Sequence, residues 1–102
     1  MTTYFISRHP GAIEWAARQQ IPVDERLAHL DPDTIKAGDT VIGSLPVNLA
    51  AKVCAAGAAY WHLSLEVTTD LRGKELTAED MERLGACVER FDVHSSKSLT
   101  TH

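Results

Sequence analysis

Apolar residues fall in short runs that alternate with amphipathic stretches, a pattern that predicts β-strands alternating with helices. Four runs rich in β-branched, aromatic or other apolar residues are bounded by turn-forming residues, as strands are. The predicted strands are Thr3–Ser7, Arg26–Leu30, Asp39–Gly43 and Ala58–Leu65. The last is apolar on both faces, which is typical of a strand inside a parallel sheet.

Three helices are predicted between and after these strands. The first covers Gly11–Gln20. The second begins at Ser44, which we expect to cap it, and Gly57 is suited to follow its last turn. The third begins at Thr77, and its apolar residues recur at helical spacing. These residues are Met81, Leu84, Val88 and Phe91.

The element order β-α-β-β-α-β-α predicts an α/β protein. We expect a small Rossmann-like fold of three layers, with about four mostly parallel strands and three helices. The link between the second and third strands is short. It leaves two arrangements open: a crossover with one helical turn, or placement of the two strands on opposite sides of the first. We expect one domain over residues 1–93 and a polar tail over residues 94–102.

Composition narrows the functional classes. Hydrophobic residues make up 44% and charged residues 24% of the 102 residues, as in a soluble globular domain. The formal net charge of −4 argues against a broad polyanion-binding surface, but it allows one concentrated site for a small anion. No apolar run approaches the length of a membrane span, and no signal peptide is visible. We therefore expect a cytoplasmic protein with neither duplex nucleic acid nor a membrane as its partner.

The cysteines and histidines do not suggest a metal site. Cys54 and Cys87 are too few for a disulfide framework or a zinc site. Both fall on apolar faces of predicted helices, so we expect buried, reduced and inert thiols. The histidines lack the spacing of metal ligands. We predict no metal and no cofactor.

Polar and basic residues follow the end of every predicted strand. Ligands of open parallel sheets bind at the carboxyl ends of the strands, near a switch in strand order. The N-termini of the first two helices point to the same edge and attract anions. The pattern therefore predicts a locally positive cleft for a phosphate-bearing ligand. The candidates are Ser7, Arg8, His9, Gly11, His29, Asp31, Gly43, Ser44, His62, Ser64, Arg72 and Lys74.

Several candidates have structural alternatives. Arg8 can pair with a surface carboxylate while His9 caps the turn. His62 can be a hydrogen-bonded histidine of the core, and Ser64 can simply end its strand.

Three further candidates depend on context. Asp31 follows Gly11 by about 20 residues, the separation at which dinucleotide-binding folds place an acid on the ribose. The chain has no G-x-G-x-x-G motif, which argues against NAD but leaves a contact with a ribose hydroxyl open. Arg72 and Lys74 can close over a ligand, or they can belong to a solvated connection.

Five separated segments carry a resemblance over nearly the whole chain, up to about Val93. They are Phe5–Ala12 with Glu14-Trp15, Ala28–Asp31, Gly38–Pro46, His62–Leu65 and Leu71–Leu76. Together they resemble a small Csx-type family of CRISPR-associated accessory proteins, which occurs beside type III CRISPR systems.

This resemblance implies a CARF-like, Rossmann-type fold and a homodimer with its ligand at the two-fold interface. It also implies a ring nuclease. Type III complexes make cyclic oligoadenylate messengers on detecting foreign RNA, and ring nucleases cut these messengers. The resemblance implies that the messenger here is cyclic tetra-adenylate. Because that ring contains a two-fold axis, two copies of one small site can clamp it.

Ring opening can proceed without a metal if a ribose 2′-hydroxyl attacks the adjacent phosphate. We expect Arg8 to stabilise charge on the phosphoryl oxygens and His9 to act as general acid or base. Ser7 and Ser44 would orient phosphate or ribose. Two other functions stay open: a protein that binds the ring without cutting it, and an accessory subunit that binds another CRISPR protein.

Overall fold

The computed structural model of the protein describes residues 1–66 and 73–100. This part contains five strands, three α-helices and one 3₁₀ turn. In chain order they are β1 (Thr3–Ile6), α1 (Pro10–Arg18), β2 (Glu25–Leu27), the 3₁₀ turn (Pro32–Thr34), β3 (Thr40–Gly43), α2 (Val47–Ala55), β4 (Ala59–Ser64), α3 (Ala78–Arg83) and β5 (Cys87–Phe91).

The five strands form one sheet in the order β2-β1-β3-β4-β5. Strands β1 to β4 run parallel, and β5 pairs antiparallel with β4. The short link after β2 combines both predicted arrangements, since it contains a single 3₁₀ turn and β2 and β3 flank β1. Strand β2 lies on one side of β1, and β3, β4 and β5 follow one another on the other side. The switch in strand order therefore lies between β1 and β3.

Two apolar clusters cover the two faces of the sheet, as strand alternation requires. One joins the sheet to α1 and α3 and includes Phe5, Trp15 and Met81. The other joins it to α2 and includes Val53 and Tyr60. The predicted three-layer α/β fold is confirmed, and it is compatible with a small Rossmann-like fold.

The predicted third helix is wrong in its second half. The helix α3 ends at Arg83, and residues Cys87–Phe91 form β5. Between them, Gly85 adopts a positive φ of 73°, which ends the helix and is readily accessible only to glycine. The sheet therefore has five strands where about four were expected.

The expectation of buried thiols is also wrong. Cys87 lies on β5 and is exposed, because this edge strand has few side chains packed over it. Cys54 is half-buried on α2, where its Sγ accepts a hydrogen bond from the Val93 amide at 3.4 Å. Both cysteines are free thiols.

No helix within residues 1–66 and 73–100 is both long enough and apolar enough to cross a lipid bilayer. Beyond β5, residues 92–100 contain neither helix nor strand.

Candidate functional site

A cleft of about 650 Å³ lies at the carboxyl ends of the parallel strands, at the switch between β1 and β3. Its volume is in the range of small-molecule sites. Six of the twelve candidate residues line it. They are Ser7, Arg8, His9, His29, Ser44 and Lys74.

The turn from β1 into α1 supplies three of these residues. His9 is the residue before the helix and has an extended backbone, and Pro10 follows it at the first helical position, where its missing N–H is harmless. The amide of His9 donates to Ser7 Oγ at 3.1 Å. Ser7 therefore fixes the turn that presents Arg8 and His9 to the cleft.

His9 does not cap the helix with its side chain. Its Nδ1 lies 3.1 Å from Oε1 of Glu75, in the segment that leads to α3. With Nδ1 facing a carboxylate, Nε2 is the ring nitrogen left to exchange a proton with a ligand. Both side chains are exposed, at 65% and 67% of their surface, so a ligand can reach the pair.

Arg8 and Lys74 are two cations that line the cleft. Within residues 1–66 and 73–100, neither Arg8 nor Lys74 forms an ion pair, whereas Arg18 pairs with Glu79 and Arg83 with Asp80. The Arg8 alternative of a surface ion pair is thus not found in the described part of the chain. The N-termini of α1 and α2 open onto the same cleft and add partial positive charge. The cleft is therefore locally positive in an acidic protein.

The turn from β3 into α2 differs from the prediction that Ser44 caps the second helix. Ser44 does not cap α2, which begins at Val47 with Pro46 in the capping position and no side-chain cap. Instead, Ser44 Oγ donates to the Leu63 carbonyl at 2.5 Å. The hydroxyl proton is thus engaged in a hydrogen bond to the backbone. The hydroxyl oxygen still has lone pairs that can accept a hydrogen bond from a ligand.

The floor of the cleft is apolar. Its residues come from all three layers and can pack against the face of a nucleobase. They include Ile6, Leu30, Leu45, Leu49, Leu63, Leu65, Leu76 and Met81. A cationic rim beside an apolar floor suits a ligand that combines phosphate with a flat, weakly polar ring.

Residues 4–94 match the sequence profile of a family described as "Putative CRISPR-associated protein (Cas_VVA1548)". The chain belongs to this family. All residues that line the cleft fall inside the matched segment. No curated protein and no solved structure matches the chain. For this CRISPR-associated protein, the family match confirms the coarse part of the resemblance, namely its association with CRISPR.

Three other candidate residues of this CRISPR-associated protein do not line the cleft. A Cβ at Gly11 would overlap the backbone carbonyl of Leu76, and one at Gly43 would lie 2.9 Å from the Ile6 carbonyl. Both glycines therefore permit close packing of the backbone around the cleft. Asp31 accepts the Asp33 amide at 3.0 Å and caps the 3₁₀ turn.

His62 and Ser64 do not line the cleft either. They alternate along β4 with Leu63, which faces α1 and α3 and reaches the cleft. His62 forms a hydrogen bond with Tyr60, as in the alternative of a hydrogen-bonded histidine. Ser64 Oγ lies 3.5 Å from Cys87 Sγ at the end of the strand. Arg72 lies outside the described residues.

No group of three or more His, Cys, Asp or Glu side chains within residues 1–66 and 73–100 is arranged to hold a metal ion.

Two residues that sequence reasoning missed shape the site. Glu75 lies in a polar connection where nothing in the sequence distinguishes it from its charged neighbours. Tyr60 resembles any apolar residue of a buried strand. Only the packing of β4 under the β3–α2 turn shows that its hydroxyl contacts that turn.

Proposed function

We propose that this CRISPR-associated protein binds cyclic oligoadenylate at the cleft and linearises it, with cyclic tetra-adenylate as the substrate. The observation that carries the proposal is the set of Arg8, Lys74 and His9 above an apolar floor at the switch in strand order. The cations would contact phosphates, and the floor would accept adenine. The type III context and the cytoplasmic location belong to the same proposal.

A homodimer completes the proposed site. The cleft of one protomer has room for part of a four-nucleotide ring, and that ring has two-fold symmetry. Two clefts related by a two-fold axis would bind its two halves equivalently. Each protomer would then contribute one Arg8 and one His9.

The proposed reaction is an internal transfer at phosphorus. The 2′-hydroxyl of one ribose attacks its own 3′-phosphate, a new P–O2′ bond forms, and the bond from phosphorus to the neighbouring 5′-oxygen breaks. The products are a linear oligoadenylate with a 2′,3′-cyclic phosphate at one end and a 5′-hydroxyl at the other. The 2′-hydroxyl gives up one proton to solvent, the leaving 5′-oxygen takes one from His9, and His9 regains one from solvent, so the reaction consumes no water.

The cleft residues would share this work. The guanidinium of Arg8 matches the oxygens of a phosphoryl group and would stabilise charge that develops there. His9, held through Nδ1 by Glu75, would protonate the leaving oxygen from Nε2, a role typically worth about 10²–10⁴-fold in rate. Ser7 and Ser44 would hold phosphate or ribose in line for attack.

The decisive experiment mixes the purified protein with cyclic tetra-adenylate, with and without EDTA, and separates the nucleotides by chromatography. Linear product with a 2′,3′-cyclic phosphate in both reactions would support the proposal. Product only without EDTA would contradict the metal-independent route. An intact ring recovered with the protein would indicate sequestration, and an intact, unbound ring would point to a partner-binding subunit.

A pair of variants assigns the activity to the cleft. Arg8→Ala should abolish binding or cleavage. Arg90→Ala removes an exposed arginine from β5, where no residue lines the cleft, and should leave both unchanged. Full activity in folded Arg8→Ala would refute the site.

A further inference from the structure

The hydroxyl of Tyr60 lies among three polar partners behind the β3–α2 turn. Tyr60 is 2% exposed. Its oxygen lies 2.9 Å from the Leu45 amide nitrogen, 3.1 Å from the Gly43 carbonyl oxygen and 2.6 Å from Nδ1 of His62. Gly43 and Leu45 flank Ser44, so this one hydroxyl contacts the backbone on both sides of a cleft residue.

All three contacts can be hydrogen bonds in only one arrangement of the protons on Tyr60 and His62. The Leu45 amide can only donate, and the Gly43 carbonyl can only accept, so the single hydroxyl proton of Tyr60 goes to Gly43. Nδ1 of His62 must then carry a proton and donate it to the tyrosine oxygen. With Nδ1 unprotonated, either His62 or Gly43 loses its partner at this hydroxyl. Burial raises the pKa of Tyr60, which keeps the hydroxyl protonated as this arrangement needs.

We infer that Tyr60 and His62 are positioning residues of the cleft: His62 donates from Nδ1 to the Tyr60 hydroxyl, which fixes the β3–α2 turn and so holds Ser44 and Leu45 against the ligand. His62 was expected to touch the ligand itself. On β4 it lies behind the turn, with its ring edge-on to Phe91 at 6.0 Å. It acts on the ligand through Tyr60.

The chain supplies a matched control for the tyrosine. Tyr4, Val41 and Tyr60 are neighbours in register across β1, β3 and β4, and Tyr4 packs against the same apolar cluster. Within the described residues, the Tyr4 hydroxyl makes no hydrogen bond to the protein. Tyr60→Phe and Tyr4→Phe thus remove the same atom from the same face of the sheet, but only the first removes contacts to the turn.

The first test needs no ligand. In Tyr60→Phe, the Leu45 amide should exchange with solvent at least about five-fold faster, because it loses its buried partner. The Ala50 amide inside α2 serves as reference. In the wild-type protein, ¹⁵N spectra of the imidazole should show the proton of His62 on Nδ1. An unprotonated Nδ1, or equal Leu45 exchange in both tyrosine variants, would overturn the inference.

The second test rests on the proposed function and uses cyclic tetra-adenylate as the probe. Tyr60→Phe should bind it about five-fold or more weakly than Tyr4→Phe. His62→Asn, whose amide can replace the Nδ1–H donor, should stay within about two-fold of wild type, whereas His62→Leu should match Tyr60→Phe. If the wild-type protein does not bind cyclic tetra-adenylate, the proposed function is refuted, and the exchange test alone decides the positioning role. Normal binding by Tyr60→Phe would refute only the positioning role.

Discussion

Nδ1 of His9 lies 3.1 Å from Oε1 of Glu75, although 66 positions of the chain separate the two residues. The contact joins the turn after β1 to the segment before α3. It orients the histidine at the rim of a cleft where, within the part of the chain that the structure describes, the charged lining residues are cations. A histidine held by a carboxylate is a common arrangement for proton transfer.

Glu75→Gln should slow cleavage of cyclic tetra-adenylate without weakening its binding. The loss should reach at most about five-fold, because an exposed charged pair contributes only about 0.2–1 kcal/mol. Single-turnover rates and binding constants separate the two effects. Glu25→Gln, at an exposed position on β2, is the control, and equal rates for the two variants would contradict an orienting role for Glu75.

His9→Gln should separate cleavage from binding more sharply. Cleavage should fall by about 10²–10⁴-fold, because the leaving oxygen loses its proton donor, while binding stays within a few-fold of wild type. His94→Gln changes a histidine in the exposed tail and should behave as wild type. Undiminished cleavage by His9→Gln would assign proton transfer to another group.

Gly11→Ala should destabilise the fold, because the new methyl group would overlap the Leu76 carbonyl. Overpacking of this kind costs about 1–3 kcal/mol in the free energy of unfolding, measurable by urea denaturation. The Ala17→Gly substitution, at an exposed position on the same helix, should cost about 0.5–1 kcal/mol through backbone entropy alone. A Gly11→Ala protein as stable as wild type would show that α1 can shift away from the segment before α3.

Asp39 should contribute to the loss of stability in acid. Its side chain accepts the amides of Lys36 and Thr2 at 2.9 and 3.0 Å, and these bonds lower the pKa of the carboxyl group. A carboxyl group whose pKa is lower in the folded than in the unfolded state stabilises the fold above the unfolded pKa. That contribution is lost as pH falls through the folded pKa.

Urea unfolding of wild type and Asp39→Asn from pH 7 down to pH 3 measures this effect. Wild type should be the more stable at pH 7, and the difference should shrink below about pH 4. The pKa values of Glu79 and Asp80 are lowered as well, by Arg18 and by the Thr77 amide. Both proteins keep these two groups, so the difference isolates Asp39. A constant difference across the pH range would contradict its assigned role.

The sequence pattern was most informative where apolar periodicity and turn residues agreed. Strand β3, predicted as Asp39–Gly43, differs from the structure by one residue, and Gly57 follows α2 with a positive φ of 90°, as expected. The rule that ligands meet parallel strands at their carboxyl ends located the cleft through Ser7, Arg8 and His9.

The pattern failed where one spacing fits two structures. Met81, Leu84, Val88 and Phe91 fit a single helical face, yet Gly85 ends the helix, and Val88 packs from β5 against the apolar cluster of α1 and α3. Gly85 is a local signal for the end of the helix, but the strand that follows it is decided by pairing with β4, which the spacing does not report.

The direction of the strands also decides at which end of the sheet β1 begins and β5 finishes. Cys87 is opposite Ser64 and Phe91 is opposite Tyr60, so β5 runs back from the cleft end of β4 towards the other end of the sheet. Thr3, at the start of β1, lies at that far end beside Thr40. A reporter protein or a surface tether fused ahead of β1 would therefore start from the side opposite the cleft, and ligand would still have open access to an immobilised molecule.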